Sequence, residues 1–376
     1  MSGFSLTRVG AVLIKEFKQL SRDRLTYAMM LLMPVMQLLL FGYAINSEPR
    51  HLPTAVLIQE DTVFARSVVA ALKNSLYFEF AAQARTPAEL DEMIRRGDVQ
   101  FAITIPGDFT RRVARGDTPQ ILVEADATDP SATGGAVAAL AALPNQALAR
   151  DLSGALSPRQ ARAPFEVVVH RRYNPEAVTA YNIVPGLLGV ILSMTLVMMT
   201  SLSVTREAER GTMESLLATP VEPIEVMVGK LAPYVLVGLI QTVIILVIAR
   251  LLFNVPMLGG WAGLSLGVAL FIVGSLALGF LISTLAQSQL QAMQMSVFYI
   301  LPSILLSGFM FPFRGMPGWA QAIGEVIPVT HFLRVVRGAL LKGQGLGDMW
   351  RELVALSAFV CVVTALAMAR YRRTLD

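Results

Sequence analysis

Thr205-Arg206-Glu207-Ala208-Glu209-Arg210-Gly211-Thr212-Met213-Glu214-Ser215-Leu216-Leu217-Ala218-Thr219-Pro220 is a block of dense mixed charge set between two apolar runs. Upstream, 183–204 carries no charge; downstream, 227–253 is charged only at Lys230 and Arg250. A loop at a membrane surface needs only a few turn residues. This one spends about two helical turns on charge, adds a Leu216-Leu217 edge and stops at Pro220. That layout predicts a short amphipathic helix lying along the membrane surface, available to a soluble partner.

Length does the rest, because a helix needs roughly 20 apolar residues to cross the hydrocarbon core. Candidate spans are 25–45, 183–204, 227–253, 261–285, 293–313 and 353–369, about six in all. Composition agrees. Hydrophobic residues are 54%, charged residues 15% and mean hydropathy is +0.58, against about 25% charged in soluble domains. The net charge of +4 does not suggest a nucleic-acid partner. Cys361 is the single cysteine, so an intrachain disulfide is excluded. His51, His170 and His331 are scattered without ligand spacing, so no metal site is expected.

The fold expected is a polytopic α-helical membrane protein with an α/β domain inserted between the first and second spans. Residues 1–24 read as a cytoplasmic amphipathic helix, with Leu6, Val9, Leu13, Phe17 and Leu20 on one face. The apolar run behind it starts too late and is too long for a signal peptide. Residues 25–46 hold the first span. Residues 47–179 hold a periplasmic α/β domain, and 180–376 a five-helix region with re-entrant segments near 314–336. Basic residues near both ends, such as Lys15, Lys18, Arg372 and Arg373, place both termini in the cytoplasm. Arg334, Arg337 and Lys342 then fall outside, mildly against that rule. In the insert, strands are expected at 53–59, 101–105, 120–124 and 165–169. Helices are expected at 64–80, from Thr86-Pro87, and over the Ala-rich 131–152.

Absences narrow the function. No phosphate-cradling Gly-x-x-x-x-Gly-Lys-Ser/Thr loop occurs. The middles of the spans hold no Asp, Glu, Lys or Arg, which proton-coupled carriers usually keep. An engine on a separate subunit is the simplest reading. An ion-coupled carrier or sodium exporter, and a membrane sensor or scaffold binding through the inserted domain, are the alternatives.

The segment Arg206-Glu207-x-Glu209-Arg210-Gly211-Thr212-x-Glu214-x-Leu216-Leu217-x-Thr219-Pro220 resembles the signature of type 2 ABC exporter permeases. Ser307-Gly308-Phe309-x-Phe311-Pro312, then Met316-Pro317, Pro328-Val329-Thr330 and Arg337-Gly338, resemble it too. So does Asn174-Pro175 followed by Val184-Pro185-Gly186-Leu187. His331 departs from the aromatic residue more usual in that family. The large insert is similar to the multidrug-efflux subgroup, whose members often work with a periplasmic membrane-fusion adaptor.

The resemblance implies a permease of the bacterial inner membrane, without an ATP site of its own. ATP and Mg would be held by a cytoplasmic ABC ATPase. A second permease copy, identical or related, would complete the pathway. Arg206, Glu207, Glu209, Arg210, Gly211, Thr212, Glu214, Leu216, Leu217 and Pro220 would form the coupling helix that docks on the ATPase. Gly308, Phe309, Phe311 and Pro312 are candidates for an outer gate. Met194, Met198, Phe298 and Tyr299 are candidates for a pathway suited to hydrophobic or amphipathic drugs or lipids.

Overall fold

A computed structural model describes residues 49–152, 163–209 and 223–370. The expected N-terminal helix (1–24) and first span (25–46) lie outside these residues.

Five strands form one sheet: β1 (Leu52–Ile58), β2 (Phe78–Gln83), β3 (Phe101–Ile105), β4 (Gln120–Asp126) and β5 (Glu166–Arg172). Their order is β2-β1-β3-β4-β5. Strand β1 is parallel to β2 and β3, while β4 is antiparallel to β3 and parallel to β5. Side chains alternate across the sheet, as the pleat requires. Leu52, Val56, Phe101, Ile103 and Ile105 enter one core, and Ala55, Leu57 and Ala102 the other. Helices α1 (Val63–Asn74), α2 (Pro87–Arg96), α3 (Phe109–Arg115), α4 (Pro130–Leu140) and α5 (Leu143–Ala147) cover these faces. Leu90 and Ile94 of α2 seal the second core. Helix α2 begins at the Thr86-Pro87 pair. The Thr86 hydroxyl accepts from Glu89 N at 3.2 Å, and the Glu89 carboxylate reaches back to Arg85 N at 2.8 Å.

Two sequence expectations fail here. The helix expected over 64–80 ends at Asn74, because Leu76 turns the chain at φ 64° and Phe78–Gln83 pairs with β1 as an outer strand. Tertiary pairing wins over helical spacing: Phe78 is buried edge-on against Phe101, with ring centroids 5.1 Å apart. The Ala-rich helix expected over 131–152 is two short helices, α4 and α5. Pro144 lies in the first turn of α5, where its missing N–H breaks no hydrogen bond.

The helical part contains α6 (Thr179–Glu209), α7 (Pro223–Leu251), α8 (Trp261–Leu285), α9 (Gln289–Leu306), α10 (Gly318–Gly324), α11 (Pro328–Leu341) and α12 (Trp350–Arg370). Among the described residues, α6, α7, α8, α9 and α12 are long and apolar enough to cross a membrane. The 25 residues of α8 span about 38 Å at 1.5 Å each, more than the core thickness. Helices α6 and α8 are the most enclosed, and α7 and α12 the most open. Glycines set the spacing, as in other membrane bundles. A Cβ on Gly279 of α8 would lie 2.7 Å from the Val197 carbonyl oxygen of α6, and one on Gly267 would lie 2.7 Å from Val335 of α11. Where the sequence suggested re-entrant segments, a 3-10 turn (Phe313–Gly315), α10 and α11 fold back into the bundle. Every residue of α11 except Arg334 and Arg337 is buried, and Phe332 stacks on Phe271 of α8 at 4.1 Å.

The sheet domain and the bundle meet along a polar seam. Arg95 bonds Asp348 at 2.5 and 3.1 Å, Gln344 donates to the Arg95 carbonyl at 2.5 Å, and Lys342 pairs with Asp126. The three tryptophans, Trp261, Trp319 and Trp350, lie in the first turns of helices at this same end, and all are exposed. Tryptophan favours the boundary between hydrocarbon and water. The opposite end of the bundle holds the C-terminus of α6 and the start of α9.

Candidate functional site

Three groups of residues were expected to matter, and the structure places them at two ends and one flank of the bundle.

At the end far from the sheet, α6 closes at Glu209 and α9 opens at Gln289. Arg206 Nε donates to Gln289 Oε1 at 3.2 Å. Gln289 in turn donates to Glu209 twice, from its backbone N at 2.7 Å and from Nε2 at 2.5 Å. The first part of the charged stretch is therefore tied to α9. Arg210, Gly211, Thr212, Glu214, Leu216, Leu217 and Pro220 lie outside the described residues. Gln289 was missed in the sequence, although a signal was present. Ser288-x-x-Gln291 is a helix start, with Ser288 Oγ accepting from Gln291 N at 3.2 Å and Gln291 Oε1 accepting from Gln287 N at 2.9 Å.

At the sheet-domain end, the candidate gate residues form a knot. Gly308 follows the Ser307 cap of α9 with φ 82°, a left-handed turn that ends the helix. Its carbonyl accepts from both terminal nitrogens of Arg337 at 3.2 Å each. Phe309 packs onto Gly186 of α6 so closely that a Cβ there would lie 2.3 Å from the ring. The two motifs holding Gly186 and Gly308-Phe309 are thus brought together. Phe311 is half-buried against the core, Pro312 is buried, and Arg334 lies over the Phe313 ring at 4.7 Å. Asn174, fully buried, clamps the turn before α6 by accepting from Val178 N at 2.8 Å and donating to Val178 O at 3.0 Å. That accounts for the Asn174-Pro175 motif.

His331 is the residue whose role the sequence did not reveal. Its Nδ1 lies 2.5 Å from Glu352 Oε2 on α12, and its Nε2 lies 2.8 Å from the Glu325 carbonyl. Arg334 joins the cluster through Glu325 at 2.6 Å and Glu352 at 3.4 Å. A neutral imidazole has one N–H; two acceptors on two ring nitrogens require the imidazolium. Burial opposes that charge, but the Glu352 carboxylate and the Glu325 carbonyl outweigh it and raise the His331 pKa. For Glu325, burial is likewise outweighed by Arg334, and its carboxyl is held below the usual range.

Of the candidate pathway residues, Met194 is exposed, and Met198, Phe298 and Tyr299 are half-buried. They sit on α6 and α9, which pack together and share a Ser201–Ser296 hydroxyl bond of 2.9 Å. Ile183, Ile191, Met194 and Met199 leave an apolar strip open along α6.

An α/β domain on a bundle of membrane-length helices defines a polytopic membrane protein. Residues 24–369 match the model of the ABC-2 family transporter protein family, and the chain belongs to that family. It is the transmembrane permease subunit of an ABC exporter. It is similar to the probable multidrug ABC transporter permease YbhS of Escherichia coli (strain K12), with 28% identity across 99% of this chain and 98% of that one. The probable multidrug ABC transporter permease YbhR of the same organism is 26% identical across 97% and 98%. The inner membrane transport permease YhhJ, also from Escherichia coli (strain K12), is 29% identical across 86% of each chain.

Proposed function

We propose that this permease exports hydrophobic or amphipathic compounds, drugs or lipids, across the bacterial inner membrane, driven by a cytoplasmic ABC ATPase that holds ATP and Mg. Its termini lie in the cytoplasm and its sheet domain in the periplasm. The observation that carries this reading is the polarity of the bundle. One end bears the sheet domain, the tryptophans and the gate knot. The other bears Arg206 and Glu209 braced on Gln289, where the charged stretch begins. Arg334, Arg337 and Lys342 ran against the charge rule for topology. Arg334 and Lys342 have carboxylate partners, and Arg337 has the Gly308 carbonyl, so they weigh little as free charge.

In this mechanism the coupling helix, Arg206 to Pro220, docks in a groove of the ATPase. Charged side chains set its register and Leu216-Leu217 anchor it. Closure of the ATPase pair pushes on α6 and, through Gln289, on α9. The far ends of those same two helices carry Gly186 and Gly308-Phe309, so the push arrives at the gate. A second permease copy facing the open strip of α6 completes a pathway past Met194, Met198, Phe298 and Tyr299. Its similarity to the probable multidrug permeases YbhS and YbhR supports multidrug cargo. A membrane-fusion adaptor would extend the route beyond the periplasmic domain.

The test is purification of the tagged chain from its native membrane under gentle extraction, with copurifying proteins identified by mass spectrometry. An ABC ATPase is expected. Its absence, under conditions that preserve other ABC complexes, would shift the reading to an ion-coupled carrier or a sensor. Charge reversal at Glu214 is expected to uncouple ATP hydrolysis from transport.

A further inference from the structure

The seam between the sheet domain and the bundle encloses a cavity of about 500 Å3, a size typical of small-molecule sites. Its wall is rich in charge, and most of its cations are already committed. Lys342 pairs with Asp126, Arg334 with Glu325 and Glu352, and Arg351 with Asp98. Arg314 and Arg337 have no carboxylate partner among the described residues. Asp129, also in the wall, accepts from Asn182 Nδ2 at 3.3 Å.

Two buried polar atoms of this same wall lack partners: Arg337 Nε, a donor, and Gln100 Oε1, an acceptor. Buried polar groups are normally hydrogen-bonded and are costly to leave unmet, which points to something that occupies the cavity. Phe313, Leu333 and Met349 add apolar surface. The depth is informative as well. Trp350 immediately precedes the lining residues Arg351 and Glu352, and Trp319 follows Arg314 by five residues. Both tryptophans are exposed, and they mark the level of lipid headgroups.

We propose that this cavity binds the phosphate-bearing headgroup of an anionic phospholipid, with the phosphate taken by Arg314 and Arg337 and a headgroup hydroxyl donating to Gln100. Guanidinium suits phosphate because its planar fork presents several donors at once. Occupancy bears on the gate, since Arg337 also holds the Gly308 carbonyl. The binding needs no ATPase, so it stands or falls separately from the export reading.

The test uses the full-length permease, delipidated in neutral detergent and titrated with dihexanoylphosphatidylglycerol, dihexanoylphosphatidylcholine or inorganic phosphate. Bound ligand is counted by native mass spectrometry. Phosphatidylglycerol is expected to bind about 10-fold more tightly than phosphatidylcholine, the worth of one charge-assisted hydrogen bond. R314A and Q100E are each expected to weaken it by about the same factor, with thermal midpoints unchanged. Arg314 has an exposed side chain, so R314A probes binding without disturbing the fold. Equal binding of the two lipids, as in a cavity that holds only water, would overturn the proposal. So would wild-type binding by R314A. Displacement of the lipid by an equal concentration of inorganic phosphate would assign the site to a free anion and overturn the lipid assignment.

Discussion

Replacing His331 with Gln should abolish a pH dependence that the wild-type permease possesses. The imidazolium joins α11 to α12 through Glu352 and to the α10–α11 turn through the Glu325 carbonyl. Each bond to a charged group is worth about 1.5–3 kcal/mol. Gln can keep one of the two bonds, and Arg334 still reaches Glu352 at 3.4 Å. The net cost is therefore about 2–3 kcal/mol at mildly acid pH. The folded pKa of His331 is raised above its ordinary 6.5, so its contribution is complete below that value. It is lost as pH rises through the folded pKa. Glu325 runs the other way. Its folded pKa is depressed, so its contribution is present above the usual carboxylate value and is lost only as pH falls through the depressed one. The cluster is strongest in the window between. The assay is thermal unfolding of the purified permease at a series of pH values from 5 to 9, wild type against H331Q. Wild type should lose stability relative to H331Q as the medium turns alkaline. Parallel curves would refute the assignment of a charged ring.

Three further outcomes follow from contacts elsewhere. G186A should lower transport because its new methyl meets the Phe309 ring, and F309A in the same chain should restore part of it; additive losses in a double-mutant cycle would contradict the contact. G279A meets backbone at Val197 rather than a movable side chain, so α6 and α8 must part, at about 1–3 kcal/mol in thermal unfolding. Q289A removes the brace shared by Arg206 and Glu209. It should leave the fold intact and reduce drug-stimulated ATP hydrolysis in the reconstituted complex, and unchanged stimulation would place the coupling elsewhere.

The five described spans were legible because a membrane demands length and apolarity, and both can be counted along a chain; the one expected over 293–313 stops at Leu306, where Gly308 turns the backbone left-handed. Strands at 101–105 and 120–124 were legible because each is a short apolar run that includes β-branched or aromatic residues, Phe101, Ile103, Thr104 and Ile105 in one and Ile121 and Val123 in the other. Strand β2 was missed although Phe78-Glu79-Phe80 alternates with the period of a strand, because the residues before it carry helical spacing and the turn at Leu76 uses a residue with no turn signature. Pro144 did advertise the break between α4 and α5, but the alanines around it spoke for a continuous helix. The candidate gate residues were readable only as parts of two separate motifs; that Phe309 fills the space over Gly186 is a fact of packing. The seam lay furthest from reach. Arg95 and Asp348 are 253 residues apart, and Lys342 and Asp126 are 216 apart. No periodicity couples charges at such separations. His331 stood out as an unusual residue, yet its partner Glu352 is 21 positions away on another helix.

The placement of Trp261, Trp319 and Trp350 gives the permease an optical asymmetry. All three indoles report from one face, and the face that receives the charged stretch has none. Tryptophan emission from this chain is therefore blind to a docking event as such. Any change in its emission when nucleotide binds to an associated ATPase must have crossed about 38 Å of helix, the length of α8. The native protein thus carries a built-in remote gauge, able to time the arrival of a mechanical signal without any attached dye.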